Sequence, residues 1–227
     1  MTSTALPSFD PRRVPVTGVD TDLPKVKVQD LRPQALVQRF AYPPIWTPEV
    51  RGEPRFSNRP PADAAVLIPL VQRQDGLTVL LTERTAHLSS HSGQIAFPGG
   101  KTDLQDANPT ETALRESAEE IGLERHFVEV LGTLPVYTTG SGFIVTPVVA
   151  LVNASYAMVP NPHEVADAFE VPLSFLMDPA NHRRHEVEWA GTRREWFSMP
   201  YSHDQTERFI WGATAGMLRN FYRFLLA

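Results

Sequence analysis

Residues 99–123, GGKTDLQDANPTETALRESAEEIGL, admit few folds, because they spell a strand end, a tight turn and both ends of one helix in a single run. Phe97-Pro98-Gly99-Gly100 closes a strand on a glycine pair, which permits a sharp turn or a close approach of backbone to a ligand. A loop with Asp103 and Asp106 follows. Asn108 is placed to cap a helix, Pro109 suits its first position, Glu111 completes a capping box, and Gly122 supplies a left-handed stop. The boundaries therefore predict a helix over Pro109–Ile121.

Inside that helix stand Glu116, Glu119 and Glu120, at third- and fourth-neighbour spacing, so the three carboxylates project from one side. Like charges at this spacing cost about 0.2–0.5 kcal/mol per pair, and the helix dipole disfavours anions in the last turn by about 0.3–1 kcal/mol. A divalent cation reverses both penalties. Arg115 offsets part of the repulsion, being four residues from both Glu111 and Glu119. Taken alone, the helix also reads as a solvated acidic face. In its context of glycine turn and acidic loop, it builds a pocket of hard oxygen ligands suited to Mg²⁺ or Mn²⁺.

Short apolar runs of strand length surround this segment: Ala64–Leu70, Leu77–Leu81, Val128–Val136, Phe143–Val152, Glu186–Trp189, Glu195–Met199 and Arg208–Trp211. Gln72–Gly76 reads as a hairpin turn, and Ala213–Leu226 as an amphipathic closing helix with Ala213, Met217, Phe221 and Leu225 on one face. Strands around few helices imply a mixed sheet between helices. Of the 21 prolines, 11 fall in residues 1–61, where apolar periodicity is weak. Residues 1–58 therefore read as a Pro-rich arm, with a short helix from Pro33 through Leu36, Val37 and Phe40, and residues 59–227 as the domain. Three uses of the arm stay open: covering the pocket, pairing subunits as a homodimer, or extending into solvent.

Composition removes several function classes. With 21 Lys+Arg against 26 Asp+Glu, the net charge of −5 gives no reason to expect nucleic acid as a partner. Cysteine is absent, which excludes disulfides, thiolate zinc sites and cysteine nucleophiles. Val130–His163 carries no Asp, Glu, Lys or Arg, yet its prolines and glycines break it too often for a membrane span, and it reads as two buried strands. Residues 1–13 lack the apolar core of a secretory signal, and a cytoplasmic location is expected. His87 and His91, four apart, lie in a loop-like run that argues against a zinc pair. His182 and His185 flank two arginines and read as solvated. Trp189, Trp196 and Trp211 read as core packing rather than a stacking platform, and Gln94 and Tyr137 as ordinary packing or surface residues that a pocket lining would also suit.

Gly100, Arg115, Glu116, Glu119, Glu120, Gly122 and Leu123 fall on the pattern of the Nudix box, and the chain resembles Nudix hydrolases. Asp106 stands where that family usually has Glu, eight residues separate it from Arg115, and Ser117 replaces an aliphatic residue. Leu80-Leu81-Thr82-Glu83-Arg84-Thr85, with Gly93 and Phe97–Gly100, is similar to the extra motif of the coenzyme A pyrophosphatases in that family, although Thr85 replaces Ser or Ala and Ser89 replaces Arg. The resemblance spans most of residues 60–220. It implies a Nudix α/β/α sandwich, an α/β (α+β) fold with a mixed sheet, that hydrolyses the diphosphate of coenzyme A or its derivatives to 4′-phosphopantetheine and 3′,5′-ADP.

By the same resemblance Glu116 and Glu120 are metal ligands, Glu119 a further ligand or the base, and Glu164 a candidate base from outside the box. Arg84 either binds substrate phosphate or pairs with a box carboxylate, while Gln94, Gly99 and Gly100 border the substrate. Arg115 and Gly122 are structural. Two alternatives remain at this level: hydrolysis of another nucleoside diphosphate (ADP-ribose, a nucleotide sugar or a dinucleotide), and nucleotide binding without cleavage in a regulatory domain.

Overall fold

The computed structural model of the chain describes residues 10–85, 93–189 and 192–227. In chain order it has a short strand β1 (Val16–Val19), helix α1 (Pro33–Ala41), the hairpin β2 (Ala62–Arg73) and β3 (Gly76–Arg84), and two short strands β4 (Ile95–Ala96) and β5 (Gly99–Lys101). Helix α2 (Pro109–Ile121) leads to β6 (Val128–Thr133), β7 (Tyr137–Thr138), β8 (Phe143–Val152) and β9 (Val165–Pro172). A single-turn helix α3 (Leu173–Leu176), the strands β10 (Arg183–Trp189), β11 (Thr192–His203) and β12 (Thr206–Trp211), and helix α4 (Gly212–Leu226) complete it.

The main sheet is mixed. Its path runs β4-β3-β2-β8-β6, with β5 on β2, β7 on β8 and β9 on β3. The parallel pair β2–β8 forms its centre, from Ala62 opposite Phe143 to Val71 opposite Val152. β2 is buried on both faces, as a central parallel strand must be: Ala64, Ile68 and Leu70 enter one core cluster, and Ala65, Leu67 and Val71 the other. The second cluster takes Ala113, Leu114 and Ile121 from α2, and the first takes α3, α4 and Leu36 of α1, so helices cover both faces. This is the expected sandwich with a mixed sheet.

A second, antiparallel sheet has the order β1-β10-β11-β12. Helix α4 packs against it while also entering the main core, and is buried nearly all round, including Arg219 at 0 % exposure, where the sequence pattern predicts one apolar face. The predicted strand Val128–Val136 ends at Thr133, with Leu134 turning into the core before β7 begins. The turn after β2 is as expected, closing on Gly76 at φ 126°.

The segment before residue 59 is built into the fold. Val26, Leu31 and Leu36 belong to the main core cluster, and β1 adds to the second sheet. Asp20 and Glu49 reach the buried Arg219: Glu49 Oε2 accepts from Nε at 2.7 Å, and Asp20 Oδ2 lies 2.8 Å from Nη2. His182 and His185, expected in solvent, are 0 % and 3 % exposed, while Arg183 and Arg184 beside them are exposed. His185 is held inside through Ser198 Oγ, 2.7 Å from its Nε2. His182 Nδ1 must be the unprotonated nitrogen, because its 3.0 Å partner, Arg219 Nη1, can only donate. Its Nε2 proton then goes to the Leu176 carbonyl at 2.8 Å. Among the described residues no helix is long and apolar enough to cross a membrane.

Candidate active site

Helix α2 begins and ends as its sequence dictates. Asn108 Oδ1 accepts from the Glu111 N–H at 3.1 Å, and Gly122 adopts φ 67°, with the Leu123 N–H reaching back to the Ser117 carbonyl at 3.3 Å. One detail of the cap differs: the Glu111 carboxylate turns to Arg125 Nη1, 2.6 Å away. Ser117, at an aliphatic position of the box, is fully buried and satisfied by donating to the Ala113 carbonyl at 2.6 Å.

Helical spacing predicts one carboxylate cluster, and packing divides it. Glu120 is 5 % exposed, Glu116 16 % and Glu119 55 %. Glu120 turns to the Gly99 N–H, whereas Glu116 and Glu119 turn to Arg115. The Arg115 guanidinium donates to Asp106 through Nε (3.0 Å to Oδ1) and Nη2 (2.9 Å to Oδ2), to Glu116 (2.9 Å) and Glu119 (3.1 Å) through Nη1, and to the Lys101 carbonyl at 3.1 Å. Asp106, despite its unusual spacing, thus clamps Arg115, which holds the Asp106 carboxyl well below the usual carboxylate range. Glu119 points to that clamp.

The glycine pair fits the other two acids. The Gly99 N–H donates to Glu120 Oε2 at 3.2 Å, and a Cβ on Gly99, whose φ is 154°, would sit 2.4 Å from the Ala65 carbonyl. A Cβ on Gly100 would lie 2.5 Å from the Glu116 carboxyl carbon. Arg84 Nη1 stands 3.7 Å from Glu120 Oε1, within reach of a box carboxylate. Burial pushes the Glu120 carboxyl up to about 7, with the charges of Glu116 and Glu164 adding to the rise and the Gly99 N–H and Arg84 opposing it. Glu116 is also raised, first by burial and then by Glu119 and Glu164, against the pull of Arg115.

The Glu164 charge is thus felt at both buried glutamates. Glu164 is half-buried, and its Oε1 accepts from Asn161 Nδ2 at 3.1 Å. Thr85 anchors this turn, its N–H donating to the Glu164 carbonyl at 3.0 Å. His87, Ser89 and His91 lie outside the described residues. Among the described residues, no three acidic or imidazole side chains converge tightly enough to hold a metal ion as they stand. The donor chemistry nevertheless suits a hard dication, since two desolvated carboxylates with raised pKa values lie against a glycine cradle.

Gly99, Gly100, Arg84 and Gln94 border a cavity of about 690 Å³. Its far lining was not foreseen as a site. Trp196 and Trp211 are half-buried on its wall, where the sequence pattern predicts core residues. Glu53 and Phe56 come from the Pro-rich segment, which has no periodic signal to betray them. Tyr137 is a packing residue, 2 % exposed, with its hydroxyl 3.4 Å from Glu53.

Residues 61–200 match the family described as the NUDIX domain, and this span contains the glycine pair, the Arg115 clamp and the three box glutamates. The chain belongs to the Nudix family. Among its relatives, the uncharacterized Nudix hydrolase NudL of Yersinia enterocolitica is 42 % identical over 156 residues, covering 69 % of this chain and 77 % of that one. NudL of Yersinia pestis is 40 % identical over 157 residues, with 69 % and 76 % covered. A crystal structure of a Nudix hydrolase from M. smegmatis, RenU, aligns with a TM-score of 0.44 at 26 % identity, over 53 % of this chain and 77 % of that one. The Nudix chain is accordingly a pyrophosphohydrolase acting on a nucleoside diphosphate derivative. Its Nudix match leaves out both Glu53–Phe56 and Trp211, so part of the cavity wall lies beyond the family segment.

Proposed function

We propose that this enzyme hydrolyses the diphosphate of coenzyme A, or of its acyl or oxidised derivatives, to 4′-phosphopantetheine and 3′,5′-ADP, with Mg²⁺ or Mn²⁺. The observation that supports the reading is the contact between the two motifs. The segment similar to coenzyme A pyrophosphatases, Leu80–Thr85 with Phe97–Gly100, meets the box at Glu120 through the Gly99 N–H and Arg84. The cavity beside that contact has the volume of sites that bury a large organic ligand.

In this reading Glu116 and Glu120 hold the dication, and Glu119 joins them by leaving Arg115. When bound, the ion neutralises the phosphates and acidifies water. Water adds to one phosphorus, the bridging P–O bond breaks, and two phosphomonoesters leave. Glu164, half-buried and close enough for its charge to reach both ligands, takes the proton of the attacking water, with Glu119 as the other candidate base. The backbone of Gly99 and Gly100 lets the diphosphate approach closely, and Arg84 and Gln94 flank it. Arg115 and Gly122 position the ligands by fixing the helix and its side chains.

Hydrolysis of coenzyme A with identification of both products tests this directly. A higher kcat/KM for ADP-ribose than for coenzyme A would overturn the substrate assignment. Glu164→Gln and Glu119→Gln, compared at saturating metal, separate the two bases: the true one loses turnover with little change in metal affinity.

A further inference from the structure

Residues 49–56 form a strap held by polar contacts along its length. Glu49 pairs with Arg219 and with Arg223, whose Nε lies 2.6 Å away, and Asn220 both accepts from the Val50 N–H (2.9 Å) and donates to its carbonyl (2.7 Å). The strap then runs beside the turn after β7. The Thr138 N–H donates to the Arg51 carbonyl at 3.3 Å, the Glu53 N–H to Thr138 at 2.8 Å, and the Phe56 N–H to Gly140 at 2.9 Å. Glu53 secures it further by accepting the Gly140 N–H at 2.9 Å.

This anchorage delivers Phe56 to the rim of the substrate cavity. The seat for its ring is built, because a Cβ on Gly140 would fall 2.3 Å from the ring edge. The Arg194 guanidinium lies 5.3 Å from the ring centroid, and Trp196 and Trp211 stand edge to face, 6.5 Å apart, in the same lining. An aliphatic chain gains its burial energy against any apolar wall. Three rings and a guanidinium add an attraction that only a flat π face collects in full.

We propose that Phe56 is a specificity-determining residue which, with Trp196 and Trp211, receives the purine base of the nucleotide substrate. The inference rests on the nucleotide-hydrolase reading but does not require the nucleotide to be coenzyme A. Adenosine 5′-monophosphate and ribose 5-phosphate, which share the phosphate and sugar, isolate the base as calorimetric probes of the full chain in Mg²⁺. Wild type should bind the first at least about tenfold more tightly. Phe56→Leu should cut that preference about fivefold while ribose 5-phosphate affinity holds, and Gly140→Ala, which displaces the ring, should act alike.

Trp196→Leu challenges the part of the wall supplied by β11 with a variant that leaves the strap intact. Equal affinity of wild type for the two probes, or an unchanged preference in folded Phe56→Leu and Trp196→Leu, overturns the proposal. Coenzyme A hydrolysis is scored separately. A protein that cleaves no coenzyme A yet loses base preference on these substitutions keeps the base pocket and loses the substrate assignment, and the reverse result removes the pocket alone.

Discussion

Gly100 and Glu116 illustrate how one missing methyl group positions a carboxylate. The Glu116 carboxyl occupies the space of a Cβ on Gly100, and Gly100 is not among the glycines with positive φ. Gly100→Ala is therefore tolerated by the backbone and displaces only the end of a side chain. The expected outcome is a loss of turnover of about tenfold or more, since small misplacements in a site are costly, with a melting temperature close to wild type. Glu116→Gln should abolish turnover in Mg²⁺ while the fold persists, and steady-state kinetics beside a thermal melt check both. Glu120 adds a pH signature in EDTA. Its folded pKa of about 7 lies above the ordinary 4.5, so its contribution to stability is whole below pH 4.5 and is lost as pH rises through 7. The melting temperature of wild type relative to Glu120→Gln should fall across that window.

At the scale of elements, α2 was the most legible part of the chain. Its caps, its Gly122 stop and its acidic pattern were all written locally, and the helix spans Pro109–Ile121 as expected. The division of its glutamates was not legible, because it depends on the Gly99 N–H that receives Glu120 and on where Arg115 reaches, which β5 and the loop after it fix through the Lys101 carbonyl and Asp106. Arg115→Lys keeps the charge but cannot span Asp106, Glu116 and Glu119 together. Its expected effect is a lower kcat with a smaller change in stability, read by kinetics and urea unfolding. For α4 the i, i+4 apolar face was visible, whereas Thr214, Arg219 and Asn220 turned out to be internal. Such a burial requires a partner layer, and β10–β12 with the N-terminal segment supply it.

At the scale of the whole molecule, the charge network around Arg219 joins α4 to the N-terminal segment. Glu49 and Asp20 surround the buried guanidinium, and their own carboxyl groups are held below the ordinary range despite the cost of burial. Arg219→Ala leaves these acids without their buried partner, and should cost about 3–5 kcal/mol in equilibrium unfolding. His182 lies in the same network, with a pKa lowered to about 4, first by burial and also by Arg219. The unfolded chain takes up this proton near pH 6.5 and the folded chain only near 4. Stability from this site is thus complete above pH 6.5 and lost as pH falls toward 4, by about 3 kcal/mol in all. His182→Asn should flatten that part of the stability curve, measured by urea unfolding between pH 6.5 and 4.5.

Local sequence by itself determined the glycine turn, the helix with its caps, the central strands and the family to which the chain belongs, because those features depend on residues within a few positions of one another. Tertiary structure alone decided which glutamates are desolvated, which histidines are internal, and that Phe56, Trp196 and Trp211 share one cavity. Those outcomes join residues far apart in the chain, and their electrostatics follow from the water excluded when the layers close.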